Sequence, residues 1–108
     1  MAESTTETPV LDLLASMTAD SIEASSLDME TLMLVRIAAL VAMDAPPVSY
    51  ALNLEVVGEL EIDAEKVQGV LAAVAPIVGT ARIAAATSKI VRALALEMDV
   101  AELDAAAK

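Results

Sequence analysis

The sequence predicts an all-α fold, a single helical domain of about five to six helices. Apolar residues recur at helical spacing along most of the chain, and no segment shows the alternation of apolar and polar residues that is typical of strands. Ala, Leu, Val and Ile dominate the 57% of residues that are apolar, while there are only three glycines and one aromatic residue, Tyr50. A length of 108 residues suits one domain. We therefore expect a disordered lead over residues 1–8 and one domain over residues 9–108.

The first helix is expected to begin at Pro9, because proline suits the first turn of a helix. Its apolar residues recur at helical spacing: Val10, Leu13, Leu14 and Met17. This pattern predicts a short amphipathic helix that docks by one face. Residues 18–26 are predicted to form a linker, in which Ser25 and Ser26 cap the next helix.

The most apolar helix is predicted over residues 31–43, where Arg36 is the only charged residue. A helix that is apolar around nearly its whole circumference is normally surrounded by protein, so we expect it at the centre of the core. A buried guanidinium stays ionised and is costly to leave unpaired. Arg36 should therefore meet a carboxylate, the carbonyl end of a helix or a subunit boundary. Pro46 and Pro47 should end this helix by about Asp44, and Pro47 suits the start of the next one.

Three further helices are predicted after the two prolines. The third, over residues 47–60, has an apolar row of residues four apart: Val48, Leu52, Val56 and Leu60. The fourth is expected to begin at Asp63, as its cap, and to bend or end at Pro76. The fifth should cover residues 80–97, with residues 98–108 forming a final turn or a frayed tail.

The absence of cysteine and histidine restricts the chemistry more than any other feature. It removes thiolate nucleophiles, Ser-His and Cys-His catalytic arrangements, imidazole bases and histidine or cysteine zinc sites. The three scattered glycines form neither a Walker loop nor a dinucleotide-binding fingerprint. We therefore expect no cofactor.

Carboxylates remain available for chemistry near the end of the third helix. Glu55, Glu59 and Glu61 are close in sequence, and burial of one of them would raise its pKa and suit it to general acid or base catalysis. The alternative is a solvated acidic face. No metal site is predicted, because the spacing alone does not bring several oxygen ligands together.

Charge and hydropathy bear on partners and location. The net charge of −11 disfavours nucleic acid and anionic membranes as partners. No uninterrupted apolar run reaches the roughly 18 residues that span a bilayer. The polar, acidic N-terminal residues lack the regions of a secretion signal, so a cytoplasmic location is expected. The high mean hydropathy and the helices that are apolar on more than one face predict a homo-oligomer.

The segment that follows Leu34 is similar to a known family in its helix spacing and apolar pattern. It includes RIAALVAMDAPPVSYALNLEVVGELEIDAEKVQGVL and, further on, VAPIVGTARIAAATSKIVRAL. Over about residues 28–97 the chain resembles the carboxymuconolactone decarboxylase and alkylhydroperoxidase D-like proteins. A helix of that family opens on Cys-x-x-Cys-x-x-x-His. Here Pro46 and Ser49 fall on the two cysteines, Asn53 falls on the histidine, and Leu34 takes the place of a glutamate that relays protons in the peroxidases.

The resemblance implies an all-helical, alkylhydroperoxidase D-like subunit that assembles as a homotrimer or a homohexamer, with its pocket near a subunit boundary. Because all four reactive positions differ, we expect no thiol peroxidase or disulfide reductase activity by the family's mechanism. The family's lactone decarboxylases also rely on a histidine in this helix. Asn53 therefore leaves open whether the chain is an enzyme.

Seven residues are the candidates for a pocket: Arg36, Met43, Pro46, Ser49, Tyr50, Asn53 and Arg82. In the first hypothesis, the pocket binds or processes a small carboxylic acid or lactone without redox chemistry; Arg36 or Arg82 holds the carboxylate and Asn53 orients a carbonyl. In the alternative, the chain is a non-catalytic assembly or interaction protein, with Arg36 as a structural partner and Tyr50 as a core or interface anchor. A third hypothesis is a subunit that completes another protein's active site.

Overall fold

The computed structural model describes residues 7–106, with side chains described as far as residue 94. Its helices in chain order are α1 (Pro9–Ala24), α2 (Met29–Ala42), α3 (Pro47–Glu59), α4 (Ala64–Val78) and α5 (Thr80–Ala106). Within residues 7–106 there are five helices and no strands, which confirms the all-α prediction. The predicted lead over residues 1–8 lies largely outside this range. None of the helices in the described range is long and apolar enough to cross a bilayer.

The core is formed by α2, α3, α4 and α5. The most extensive helix pairs are α3 with α5 and α2 with α4, and α3 also packs against α2. The buried side chains come from these helices and the turns between them: Leu32, Met33, Ile37, Val41, Ala45, Tyr50, Leu54, Val57, Ile62, Val67, Ala86, Ile90 and Ala93. By contrast, α1 shares no extensive interface with any other helix, and Ile22 is its only side chain packed against the core.

The second helix is central on one side only. Leu32, Met33, Ile37 and Val41 are buried, as predicted, and they recur at helical spacing. On the other side, Val35 is 52% exposed. The expectation of a helix surrounded by protein was therefore wrong for this face, which is exposed to solvent.

The end of the first helix and the cap of the second differ from the sequence prediction. The first helix continues through Ala24, so most of the predicted linker 18–26 is helical. The cap of α2 is Asp28, whose carboxylate accepts hydrogen bonds from the backbone N–H and the hydroxyl of Thr31. An N-cap residue immediately precedes the first helical residue, and Ser25 lies too far upstream. Its hydroxyl accepts instead from the backbone N–H of Leu27.

The last two helices meet at Gly79. The fourth helix continues two residues beyond Pro76, which lies in its last turn, so proline does not end it. Gly79 then has φ 90° and ψ 163°, a backbone conformation that is essentially restricted to glycine. This glycine allows α5 to begin at the very next residue. The fifth helix extends to Ala106 and includes most of the segment predicted to be a final turn or tail.

Candidate binding groove

A groove of about 520 Å³ lies between α1, α2 and α3. Its volume is within the roughly 300–1,000 Å³ typical of small-molecule sites. Of the seven candidate residues, Arg36 and Asn53 line it. The other lining residues are mainly apolar: Leu14, Met17, Thr18, Ser21, Ile22, Met29, Met33, Ala39, Leu40, Leu52 and Val56. We refer to this cavity as the Arg36 groove.

Arg36 is the only charged residue in the groove lining. It lies on α2, and its side chain is half-buried. One of its Nη2 hydrogens is donated to the hydroxyl oxygen of Ser21 on α1, at 3.0 Å. Among the described residues it has no carboxylate partner, so the ion pair and the helix-end carbonyls expected from the sequence are not found. A guanidinium has five N–H donors, which leaves donors for an added anion.

Asn53 reaches the same groove from α3. Its Nδ2 donates a hydrogen bond to the backbone carbonyl of Ser49, one turn earlier, at 2.9 Å. This bond orients the amide, while no described donor reaches its Oδ1. The groove therefore offers a cation on α2 and an amide on α3 within an otherwise apolar wall.

Three methionines from two helices line the groove: Met17, Met29 and Met33. Met33 belongs to the core and is 2% exposed, whereas Met17 on α1 is 56% exposed. Unbranched thioether side chains adapt their shape to different apolar groups. The lining includes the hydroxyls of Thr18 and Ser21 but no carboxylate. This composition suits a small molecule with one negative group and an apolar part, whose shape the methionine side chains can accommodate.

Tyr50 lies in the core rather than in the groove. Its side chain is fully buried, and its hydroxyl has no hydrogen-bond partner among the described residues. Burial, together with the negative charge of Asp44, raises the pKa of this phenol above its usual value of 10.0. The structure thus places Tyr50 as a core anchor.

The other candidates lie at the junction of α2 and α3, outside the groove lining. Met43 is the C-cap of α2 and is 69% exposed, and Pro46 is the N-cap of α3. Ser49 is half-buried in the first turn of α3. Arg82 on α5 donates to the backbone carbonyl of Ala42, the last residue of α2. The sequence analysis offered Arg82 as a residue that holds a ligand carboxylate; in the structure it contacts a helix C-terminus, where cations are favourable.

The acidic side chains at the end of α3 remain in solvent. Glu55, Glu59 and Glu61 are all exposed, which agrees with a solvated acidic face rather than a buried general acid or base. Within the described residues, no group of three or more acidic, histidine or cysteine side chains is arranged to hold a metal ion.

A second cavity, of about 400 Å³, lies between α3, α4 and α5. Its lining contains no charged side chain, and Gln68 and Thr87 are its only polar side chains. Most of the remaining wall consists of core residues, such as Leu54 and Ile90. Since recognition of a small polar ligand needs convergent polar groups, the Arg36 groove is the better candidate.

The sequence analysis missed the contribution of α1 to the groove. Thr18 and Ser21 lie in the segment predicted to be a linker, so neither was considered as a site residue. A signal was present, because Ile22 follows Leu14 by eight residues and continues its apolar row. The polar composition around Ile22 concealed that row.

Comparisons with models of known protein families, with curated proteins and with solved structures each found no match to this chain. The fold and the groove define an all-helical protein with a cationic, largely apolar cavity.

Proposed function

We propose that the chain binds a small carboxylic acid in the Arg36 groove. The observation that carries this proposal is Arg36 itself, a half-buried cation in an apolar cavity that lacks a carboxylate. A ligand carboxylate would accept two parallel hydrogen bonds from the guanidinium. Its apolar part would displace water from Met17 and Leu52, which are both more than half exposed.

Asn53 would add selectivity at the opposite wall. Its fixed amide and unpartnered Oδ1 suit a ligand with a second polar group, such as the carbonyl of a keto acid or of a lactone acid. The hydroxyls of Thr18 and Ser21 have no carboxylate or imidazole in the lining to activate them as nucleophiles. Binding is therefore better supported than covalent processing of the ligand.

The resemblance to the carboxymuconolactone decarboxylase and alkylhydroperoxidase D-like proteins stays a proposal, as does assembly into a trimer or a hexamer. In this view the chain keeps a helical scaffold related to that family and binds an acid without redox chemistry. The cytoplasmic location also stays a prediction.

A thermal-shift experiment tests the binding proposal. The wild-type chain is heated with 3-phenylpropionate, octanoate or 4-oxopentanoate, and with the primary amide of each acid. At about 100 times the dissociation constant, a ligand adds roughly 2.7 kcal/mol to the free energy of unfolding, which is readily measured as a higher Tm. We expect at least one acid to raise the Tm and its uncharged amide to have no effect. Equal shifts from acid and amide would contradict a role for the guanidinium.

An assembly role is the second candidate function, and a specific observation favours it. Several large apolar side chains on the outer faces of α2 and α3 are more than half exposed: Val35, Met43, Val48 and Leu52. Exposed apolar surface of this kind commonly marks an interaction site. Light scattering of the ligand-free variants Val35→Glu and Val48→Glu tests this candidate, because an assembly that uses these outer faces should dissociate in both variants, whereas acid binding should stay, since neither residue lines the groove.

A further inference from the structure

The hydrogen bond between Arg36 and Ser21 links α1 to the rest of the groove. One Nη2 hydrogen of Arg36 on α2 is donated to the hydroxyl oxygen of Ser21 on α1, at 3.0 Å. Otherwise α1 is attached to the core by Ile22, and in the described part of the chain it shares no extensive interface with another helix. The position of α1 beside the groove therefore depends in part on this polar contact.

The two hydroxyls that α1 contributes to the groove differ in their hydrogen bonds. A hydroxyl has one hydrogen to donate and two lone pairs that accept. Thr18 donates its hydrogen to the backbone carbonyl of Leu14, one turn earlier, at 2.9 Å. Ser21 accepts from Arg36, and no described residue accepts the hydrogen of Ser21. Ser21 therefore has a donor available for a ligand beside the guanidinium, whereas Thr18 has none.

Given an acid bound in the Arg36 groove, as proposed above, we propose that its carboxylate is held jointly by Arg36 of α2 and Ser21 of α1. The guanidinium donates from its remaining N–H groups, and the Ser21 hydroxyl donates to the same carboxylate while it still accepts from Nη2. A hydroxyl that accepts a hydrogen bond from a cation is polarised, which makes it a stronger donor. The acid thus bridges two helices, and its binding fixes α1 over the groove.

The apolar residues of α1 beside Ser21 suit the remainder of such an acid. With 100° per residue, Met17 and Leu14 lie about 40° and 20° around the helix from Ser21. Leu14 precedes Ser21 by seven residues, or roughly 10 Å along the helix axis. Met17, Leu14 and Leu52 of α3 all line the groove and are 50–65% exposed. The acid that fits is therefore one with an extended apolar chain, such as octanoate.

The carboxylates closest to this position do not face it. Asp20 and Glu23, the acidic residues of α1 nearest in sequence to Ser21, lie about 100° and 160° around the helix from it. Glu55 on α3 is exposed, and none of these three residues lines the groove. The net negative charge of the chain acts only at longer range, where salt screens it. A ligand carboxylate at Arg36 and Ser21 is therefore not opposed by a neighbouring one.

Titration calorimetry with octanoate tests the second donor with a matched pair of variants. Ser21→Ala and Thr18→Val each remove one hydroxyl from the groove lining. We expect Ser21→Ala to weaken octanoate binding about tenfold, because a hydrogen bond to a charged group is lost, and Thr18→Val to bind as the wild type does. Unchanged or tighter binding by Ser21→Ala would overturn the proposal, since Ser21 would then be at most a competitor of the ligand for Arg36.

Hydrogen exchange of the α1 backbone amides tests the bridge between the helices. With octanoate at about 100 times the Kd of each variant, opening of α1 has to break the ligand contacts, so these amides should exchange at least about tenfold more slowly than without acid in the wild type and in Thr18→Val. The slowing should be several times smaller in Ser21→Ala. Equal slowing in Ser21→Ala and Thr18→Val would overturn the proposal. Circular dichroism checks that each variant stays helical.

These measurements separate the bridge from acid binding itself. Octanoate binding that is weakened by Arg36→Gln but not by Ser21→Ala would contradict only the role of Ser21. A wild-type chain that does not bind octanoate would overturn the bridge, whatever other acids it binds. Equal affinity of the wild type and Arg36→Gln would contradict the proposed function as well.

Discussion

The Nζ of Lys89 on α5 donates hydrogen bonds to both the carboxylate and the backbone carbonyl of Asp44, at 2.7 and 3.2 Å. Asp44 follows α2 with φ 54°, a left-handed conformation that aspartate tolerates better than most residues. The last turn of α2 contains no basic residue of its own. The fifth helix supplies two cations there, Lys89 to Asp44 and Arg82 to the carbonyl of Ala42. This contact connects the two-proline turn to α5.

The Asp44–Lys89 pair predicts a dependence of stability on pH. The hydrogen bond and charge of Lys89 lower the pKa of Asp44 below its usual 3.8. A lowered folded-state pKa means that the stabilising contribution is present above pH 3.8 and is lost as the pH falls through the folded-state pKa. Asp44→Asn keeps the tolerance for φ 54° but loses the charge. We expect it to lower the Tm at pH 7 and to match the wild type near pH 2.

Calorimetric melting from pH 2 to pH 7 measures this difference. Glu55→Gln is a suitable control, since it also removes one exposed carboxylate, at a residue without an ion pair in the described chain. A difference between Asp44→Asn and wild type that stays constant down to pH 2 would show that the charge of Asp44 does not stabilise the fold.

The buried hydroxyl of Tyr50 predicts a stabilising substitution. Leaving a buried hydroxyl without a hydrogen-bond partner costs about 1–3 kcal/mol, and Tyr50→Phe removes that group while the ring keeps its packing. We expect Tyr50→Phe to raise the free energy of unfolding by about 1 kcal/mol in urea denaturation. Tyr50→Ala, which also removes the ring, should lower it by about 3–5 kcal/mol. A Phe variant less stable than wild type would mean that the hydroxyl is satisfied by a bound water molecule.

Two glycines of the same region should respond oppositely to alanine. Neither Gly69, within α4, nor Gly79, between α4 and α5, has an atom within 4 Å of the position that a Cβ would occupy. The two alanine substitutions therefore differ only in the backbone conformation that the new residue must adopt. Gly69→Ala should stabilise the chain by about 0.5–1 kcal/mol, because alanine is the better helix former. Gly79→Ala should destabilise it by about 1–3 kcal/mol, because φ 90° is strained for any residue with a Cβ.

Chemical denaturation of both glycine variants measures these values. Similar effects of one sign at the two positions would contradict the backbone conformation at Gly79. The comparison also tests the direct junction between α4 and α5, since that junction depends on this conformation.

The sequence predicted the helices well where the signals are local. The end of α2 and the start of α3 were predicted within one or two residues, because Pro46 and Pro47 restrict the backbone at their own positions. The end of α1 was missed because its second half is polar. No local feature of the sequence around Thr18 or Ser21 indicates that the second half of α1 contacts Arg36 and lines a groove.

The site was predicted only in part, for the same reason. Arg36 and Asn53 were identified, and the structure brings them to one cavity. Tyr50 and Arg82 have roles set by contacts between distant segments: Tyr50 is enclosed by the core, and Arg82 reaches the end of α2 across forty residues of sequence. Residue type and spacing do not determine such contacts.

Titration calorimetry of the carboxylic acid that binds most tightly tests the central claim most directly. Charge-assisted hydrogen bonds contribute about 1.5–3 kcal/mol, so Arg36→Gln should weaken binding by about 10- to 100-fold. Arg92→Gln, which removes an exposed arginine of α5 that does not line the groove, should bind the acid as the wild type does. Equal affinity of the wild-type chain and Arg36→Gln would contradict binding at Arg36.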